Sequence, residues 1–206
     1  RLVLSLGYGA VRTIRNSVLI LSVCATASFS APTVAALGDS LTAGYGLAPE
    51  QGLVPQLQAW LAAHDTEAKL INAGVSGDTT AGGLARLDWT LTPEVQALIV
   101  TLGGNDMLRG IDPAEARRNL DAILATAKER NLPVLLIGLK TLGNFGPDYK
   151  AQFDAIYPDL AAQYKTLLVP DFFAALADDD PQTVGSDMQA DGIHPNAAGV
   201  IKIVET

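Results

Sequence analysis

From Pro32 onward, short uninterrupted apolar runs alternate with longer stretches whose apolar residues recur at three- and four-residue spacing. The short runs lack the polar residue at every second position that a half-solvated strand carries, so they predict parallel strands covered on both faces. Such runs stand at residues 33–37, 68–72, 95–102, 134–139 and, shorter, 166–169. The stretches between them predict helices at 53–63, 84–91, 149–164 and 195–204, and the clearest helix of all begins at Asp112. There Asp112 reads as the N-cap, Pro113 takes the first helical position and Glu115 completes a capping box. Ala116, Leu120, Ile123, Leu124 and Ala127 share one face of that helix, and Asn131-Leu132-Pro133 stops it. Strands joined by helical crossovers predict an α/β domain, a three-layer α/β/α sandwich around a five-stranded parallel sheet. Ligands in such sheets collect beyond the carboxyl ends of the strands, so the informative loops follow Leu37, Asn72, Leu102, Leu139 and Val169.

The first 31 residues read differently. They carry Arg1, Arg12 and Arg15, no acidic residue, and an apolar run over 17–29 that includes Ala25-Thr26-Ala27. A basic start, an apolar centre and small residues at its end predict a signal peptide with an N-terminal extension. The run is shorter than the roughly 20 apolar residues needed to span a bilayer. Cys24 follows Leu21-Ser22-Val23, a lipoprotein-like box without the small residue before the cysteine, so a cleaved, periplasmic or secreted product is expected rather than a lipid-anchored one. Residues 32–206 are then expected to form a single domain.

Composition narrows the chemistry. The 206 residues hold 22 acidic and 14 basic side chains for a net charge of -8, and the basic ones do not gather into a patch, which argues against nucleic acid as a partner. Removing residues 1–31 takes away three arginines and no acid, leaving -11, a charge that anionic membrane surfaces repel. One cysteine precludes an internal disulfide framework, and two histidines, His64 and His194, leave little for a zinc site of nitrogen and sulfur ligands. The expected reaction needs no cofactor and no metal.

The loop after the first strand reads Gly38-Asp39-Ser40-Leu41-Thr42, with a serine where the chain must turn sharply and expose its side chain. A serine hydroxyl needs a neighbouring base to become nucleophilic, and histidine suits that task. His64 lies at the polar end of an amphipathic helix, as expected of a solvated surface residue, which leaves His194. In Asp191-Gly192-Ile193-His194-Pro195-Asn196, Asp191 is placed to accept the Nδ1 proton and aim Nε2 at the serine. The alternative for Asp191 is capping of the helix that Pro195 begins. Acyl transfer also needs donors for the developing oxyanion. Gly77, after the second strand, and Asn105 in Gly103-Gly104-Asn105-Asp106, after the third, join the Ser40 backbone N–H as candidates.

Gly-Asp-Ser-Leu at 38–41, Gly77, Gly-Gly-Asn-Asp at 103–106 and Asp-Gly-Ile-His-Pro-Asn at 191–196 together resemble the ordered blocks of the SGNH hydrolases, the GDSL-type esterases and lipases. The resemblance runs from Thr33 to Val200 and is closest to the periplasmic arylesterases and multifunctional acyl-CoA thioesterase/lysophospholipases. It implies a flavodoxin-like fold with Ser40 as nucleophile, His194 as base, Asp191 as its orienter, and Ser40, Gly77 and Asn105 as the oxyanion hole. The implied substrate is a small acyl ester or thioester. Met107, Leu108, Ile111 and the segment 140–147, with Phe145, are expected beside the cleft. Three other readings compete: residues 76–80 as an anion cradle for a phosphate-bearing cofactor, Asp39, Asp106, Asp191 and His194 as metal ligands, and a non-catalytic binding module.

Overall fold

A computed structural model describes residues 31–141, 143–177 and 184–206, and Ala31–Thr206 form one compact unit. All but the last residue of the expected signal segment, Cys24 included, lies outside the described residues. Five parallel strands form the sheet: β1 (Thr33–Gly38), β2 (Lys69–Gly74), β3 (Val95–Thr101), β4 (Val134–Ile137) and β5 (Leu167–Val169). Between β1 and β2 come α1 (Ser40–Ala43) and α2 (Leu53–Ala63), and between β2 and β3 come α3 (Thr80–Ala85) and α4 (Leu87–Thr90). α5 (Gly104–Leu108) and α6 (Pro113–Glu129) precede β4, α7 (Pro147–Asp154) and α8 (Ile156–Tyr164) precede β5, and α9 (Ala174–Ala177) and α10 (Ala197–Val204) follow it.

The strand order β2-β1-β3-β4-β5 is the doubly wound order in which the chain changes direction between β1 and β3. Central strands β1 and β3 are mostly buried, whereas edge strands β2 and β5 are half-buried or exposed, so the uninterrupted apolar runs are purest at the centre. Alternate residues feed opposite layers, as the two-residue strand period requires. Ala35, Leu37, Leu98, Val100 and Leu136 face a core built with Leu120, Ile123, Leu124 and Leu160. Val34, Ala36, Ile99 and Leu135 pack against Val54 and Leu57 of α2 on the other side.

α6 forms where its sequence predicts, with Asp112 Oδ1 accepting from the Ala114 N–H at 2.8 Å rather than sharing a capping box with Glu115, and the five residues expected on its inner face are at most 1% exposed. Two helices differ from expectation. The helix expected at 149–164 breaks at Ala155, because Pro158 has no N–H to give the Asp154 carbonyl and its ring crowds that oxygen, so a new helix starts with the proline in its first turn. The one expected at 84–91 starts instead at Thr80, since the Thr79 hydroxyl accepts from the Gly82 N–H at 3.3 Å, and it is interrupted at Arg86. The last helix is capped by Asn196, whose Oδ1 accepts from Ala198 and Gly199, which frees Asp191 from the capping role.

Candidate active site

β1 and β3 end side by side, so their following loops open at the same edge of the sheet. Ser40 begins α1 directly after β1, and Asp39 caps that short helix by accepting from the Leu41 N–H at 3.0 Å. The cap turns the Ser40 hydroxyl out of the sheet toward the segment that precedes α10. His194 meets it there: Nε2 lies 2.8 Å from Ser40 Oγ, across 154 residues of sequence. On the far side of the ring, Nδ1 lies 2.7 Å from Asp191 Oδ2. Asp191 Oδ1 accepts from the Ile193 and His194 N–H groups at 2.9 and 3.0 Å, so one carboxylate shapes the turn and holds the imidazole. The hydrogen bond from His194, then those two backbone bonds, lower the Asp191 carboxyl to about 2. It is therefore ionised at neutral pH and accepts the Nδ1 proton, the tautomer that leaves Nε2 unprotonated toward Ser40.

Gly77 and Asn105 line the same cleft as Ser40. Among the described residues, the backbone N–H groups of Ser40 and Gly77 are given to no protein acceptor. Asn105 Nδ2 donates to the Asp78 carbonyl at 2.9 Å and stands 3.4 Å from Asp39 Oδ2, so one hydrogen is anchored and the other only weakly held. Burial dominates at Asp39 and raises its carboxyl to about 6, against the Leu41 N–H bond, the His194 charge and the Asn105 amide, which all favour ionisation.

Arg86 was not singled out by sequence, yet it ties this corner together. Its Nε donates to Asp78 Oδ2 at 2.6 Å, one terminal nitrogen to the Ala73 carbonyl at 2.7 Å and the other to the Gly38 carbonyl at 2.8 Å. The ends of β1 and β2 and the Gly77 loop are thus braced by one guanidinium, whose fork of donors suits several acceptors at once. An arginine between two short apolar stretches carries no local signal of such a role.

The competing assignments find different geometry. Thr80 Oγ1 is bound to Asp106 Oδ1 at 2.6 Å, Thr79 caps α3 and the Asp78 carboxylate is paired with Arg86, so two of the three hydroxyls in residues 76–80 are already engaged, while Ser76 lines the cleft. Asp106 is committed to Thr80, Asp39 to the Ser40 turn and Asp191 to His194. Among the described residues, no three His, Cys, Asp or Glu side chains converge as metal ligands. His64 stays at the surface, its ring stacked on Trp60 at 4.0 Å.

The cleft beside Ser40 has a volume of about 550 Å³ and largely apolar walls. Met107, Leu108, Lys140 and Thr141 line it as expected, but Ile111 and Phe145 do not. The Ile111 carbonyl instead accepts from the Tyr149 hydroxyl at 2.9 Å, and Phe145 packs on Tyr149. Tyr45, Phe173, Leu176, Met188 and Ile193 supply wall that sequence reasoning missed. Their only advance signal was position in the segments that follow strands at the carboxyl edge of the sheet.

Residues 36–200 match the GDSL-like lipase/acylhydrolase family. The chain is 42% identical over 181 residues to esterase TesA of Pseudomonas aeruginosa, covering 87% of this chain and 88% of that one. It is 38% identical over 169 residues to thioesterase 1/protease 1/lysophospholipase L1 of Escherichia coli, covering 81% and 77%. The crystal structure of AlinE4, an SGNH-hydrolase family esterase, superposes with a TM-score of 0.73 at 45% identity, covering 85% of this chain and 92% of that one.

Proposed function

Because the chain belongs to the GDSL-like lipase/acylhydrolase family and is an ester-hydrolysing enzyme, we propose that it works through an acyl-enzyme on Ser40. The observation that carries the reading is the line from Asp191 Oδ2 through His194 to Ser40 Oγ, with successive distances of 2.7 and 2.8 Å. In this reading Ser40 Oγ attacks the acyl carbon while His194 Nε2 takes its proton. The carbonyl oxygen becomes an anion facing the N–H groups of Ser40 and Gly77 and the weakly held hydrogen of Asn105. Collapse of the tetrahedral intermediate breaks the bond to the alcohol or thiol, which leaves with the proton from His194. Water then gives a proton to His194 and attacks the acyl carbon, and Ser40 departs reprotonated as the acid is released. Asp191 stays ionised throughout and stabilises the imidazolium, consistent with its low pKa of about 2.

The substrate class follows from the apolar cleft, which suits an acyl chain, and from the names of the relatives: esterase, thioesterase/lysophospholipase, and arylesterase in Vibrio mimicus. Aryl esters, acyl thioesters and lysophospholipids are accordingly the substrates to test. Export belongs to the same reading, supported by the basic and then apolar composition of residues 1–31. Among the described residues no helix is long and apolar enough to cross a membrane.

The test is hydrolysis of nitrophenyl acyl esters and an acyl thioester by the wild type, Ser40→Ala, His194→Ala and the control His64→Ala. Ser40→Ala and His194→Ala are expected to lose nearly all turnover and His64→Ala to keep it. Wild-type rates in Ser40→Ala refute the mechanism.

A further inference from the structure

The segment that carries Asp191 and His194 is a small hairpin over residues 187–196. It closes on itself through the antiparallel Met188–Pro195 bridge, the Gln189 N–H to His194 carbonyl bond and the Asn196 N–H to Asp187 carbonyl bond, both 2.8 Å. Those bonds fix the hairpin's shape, while its position against the Ser40 turn depends on contacts between the two segments. Among the described residues, two hydrogen bonds make that connection. One is His194 to Ser40 at 2.8 Å, and the other runs from Gln189 Nε2 to the Tyr45 carbonyl at 2.8 Å, across 144 residues. The first is the reacting pair itself and cannot exist in the same form once Ser40 Oγ carries an acyl group. The second involves no reacting atom.

Gln189 is held to this task by its surroundings. Its Nε2 also donates to the Pro195 carbonyl at 3.0 Å, so both amide hydrogens are used. Two carbonyl acceptors admit the side chain in one orientation only, nitrogen toward them, since a flipped amide sets oxygen against oxygen. Gly46 makes room on the other side: it has a φ of +75°, and a Cβ there would lie 2.1 Å from Gln189 Oε1. The Tyr45 ring, on the residue that receives the bond, lies 4.8 Å from the His194 ring.

We propose that Gln189 is a positioning residue, clasping the His194 hairpin to the Ser40 loop so that Nε2 stays in line during both acylation and deacylation. The inference rests on the Ser40–His194 reading above. It predicts a loss of rate without a matching loss of substrate binding, because Gln189 is not itself in contact with the reacting atoms. Displacement of a catalytic group by about 1 Å can cost on the order of 100-fold in rate.

The experiment compares wild type, Ser40→Ala, Gln189→Ala and Gln189→Glu. The glutamate variant keeps the size but loses both donors and sets a carboxylate against two carbonyls. Pre-steady-state hydrolysis of a nitrophenyl acyl ester gives the acylation rate, the deacylation rate and the apparent substrate dissociation constant. Proton NMR follows the downfield resonance of the His194 Nδ1 hydrogen bound to Asp191. Both Gln189 variants are expected to lose about 10- to 100-fold in acylation and deacylation. Their substrate dissociation constant should stay near that of the wild type and the Nδ1 resonance should persist, because the Asp191–His194 bond lies inside the hairpin. Wild-type rates in both variants overturn the clasp. Loss of the Nδ1 resonance together with activity also overturns it, since Gln189 then serves only to fold the hairpin. The two readings fail separately: an active Ser40→Ala sinks the acyl-enzyme reading, whereas an inactive Ser40→Ala beside unaffected Gln189 variants sinks only the clasp.

Discussion

Replacing Asp191 by asparagine separates what the carboxylate does for the turn from what it does for the imidazole. Oδ1 accepts from the Ile193 and His194 N–H groups at 2.9 and 3.0 Å, and an amide oxygen can accept both. Oδ2, 2.7 Å from His194 Nδ1, becomes an amide nitrogen that donates instead of accepting. Nδ1 must then be the acceptor, and the ring proton moves to Nε2, the atom that faces Ser40 Oγ at 2.8 Å. The base is lost while every side chain keeps its place. The same exchange in a Ser-His-Asp protease, on a different fold, lowers kcat by about 10⁴. Here the Asp191 side chain is 36% exposed, so solvent screens part of the lost charge, and the tautomer carries most of the effect. A fall of about 10³- to 10⁴-fold in kcat is therefore expected. Ester hydrolysis measures it, and thermal unfolding checks that the turn survives. An Asp191→Asn enzyme that folds like the wild type and keeps kcat within a few-fold refutes the tautomer argument.

Asn105→Ala removes a proposed oxyanion donor and should lower kcat by about 10²- to 10³-fold with little change in KM; an unchanged kcat removes Asn105 from the proposed oxyanion hole. Asp39 makes stability depend on pH. Its native pKa of about 6 lies above the ordinary value near 3.8, so the native state binds the proton more tightly than the unfolded chain. The resulting stabilisation is complete below the unfolded value and is lost as pH rises through the native one, roughly 3 kcal/mol in all. Denaturant unfolding from pH 4 to 7 should show that slope in the wild type and a flatter one in Asp39→Asn; equal slopes refute it. Gly103 has a φ of +120°, and a Cβ there would stand 2.3 Å from the Tyr157 hydroxyl, which donates to the Leu102 carbonyl at 2.9 Å. Gly103→Ala should therefore cost about 2–4 kcal/mol in backbone strain and a displaced buried hydrogen bond, readable as a lowered unfolding midpoint, and an unchanged midpoint contradicts this.

Much of the fold was readable locally. The buried runs of β1 and β3, the Asp112 cap of α6 and the inner face from Ala116 to Ala127 each follow from short-range rules: backbone hydrogen bonding, capping and the 3.6-residue period. The break at Ala155 was equally local and was legible in Pro158. The restart of α3 at Thr80 hung on a threonine cap in a loop already rich in polar residues, where capping and turn-forming residues look alike. At the site, Ser40, Asp191 and His194 stood out because a nucleophile needs a base and few bases were available. Arg86 and Gln189 did not, since arginine and glutamine are ordinary surface residues until three or two acceptors are set around them.

By itself, the sequence determined the five strands and the longer helices α2 and α6, which loops hold serine, histidine, carboxylate and amide groups, and that these loops share the carboxyl edge of a parallel sheet. Those outcomes depend on burial of apolar side chains and on hydrogen bonds between residues a few positions apart. Only the tertiary structure decided that 154 residues of chain bring His194 within 2.8 Å of Ser40, that Arg86 braces two strand ends, and that Phe173, Leu176, Met188 and Ile193 wall the cleft. Contacts of that range are set by strand order and by how each crossover packs on the sheet, which no short stretch of residues encodes.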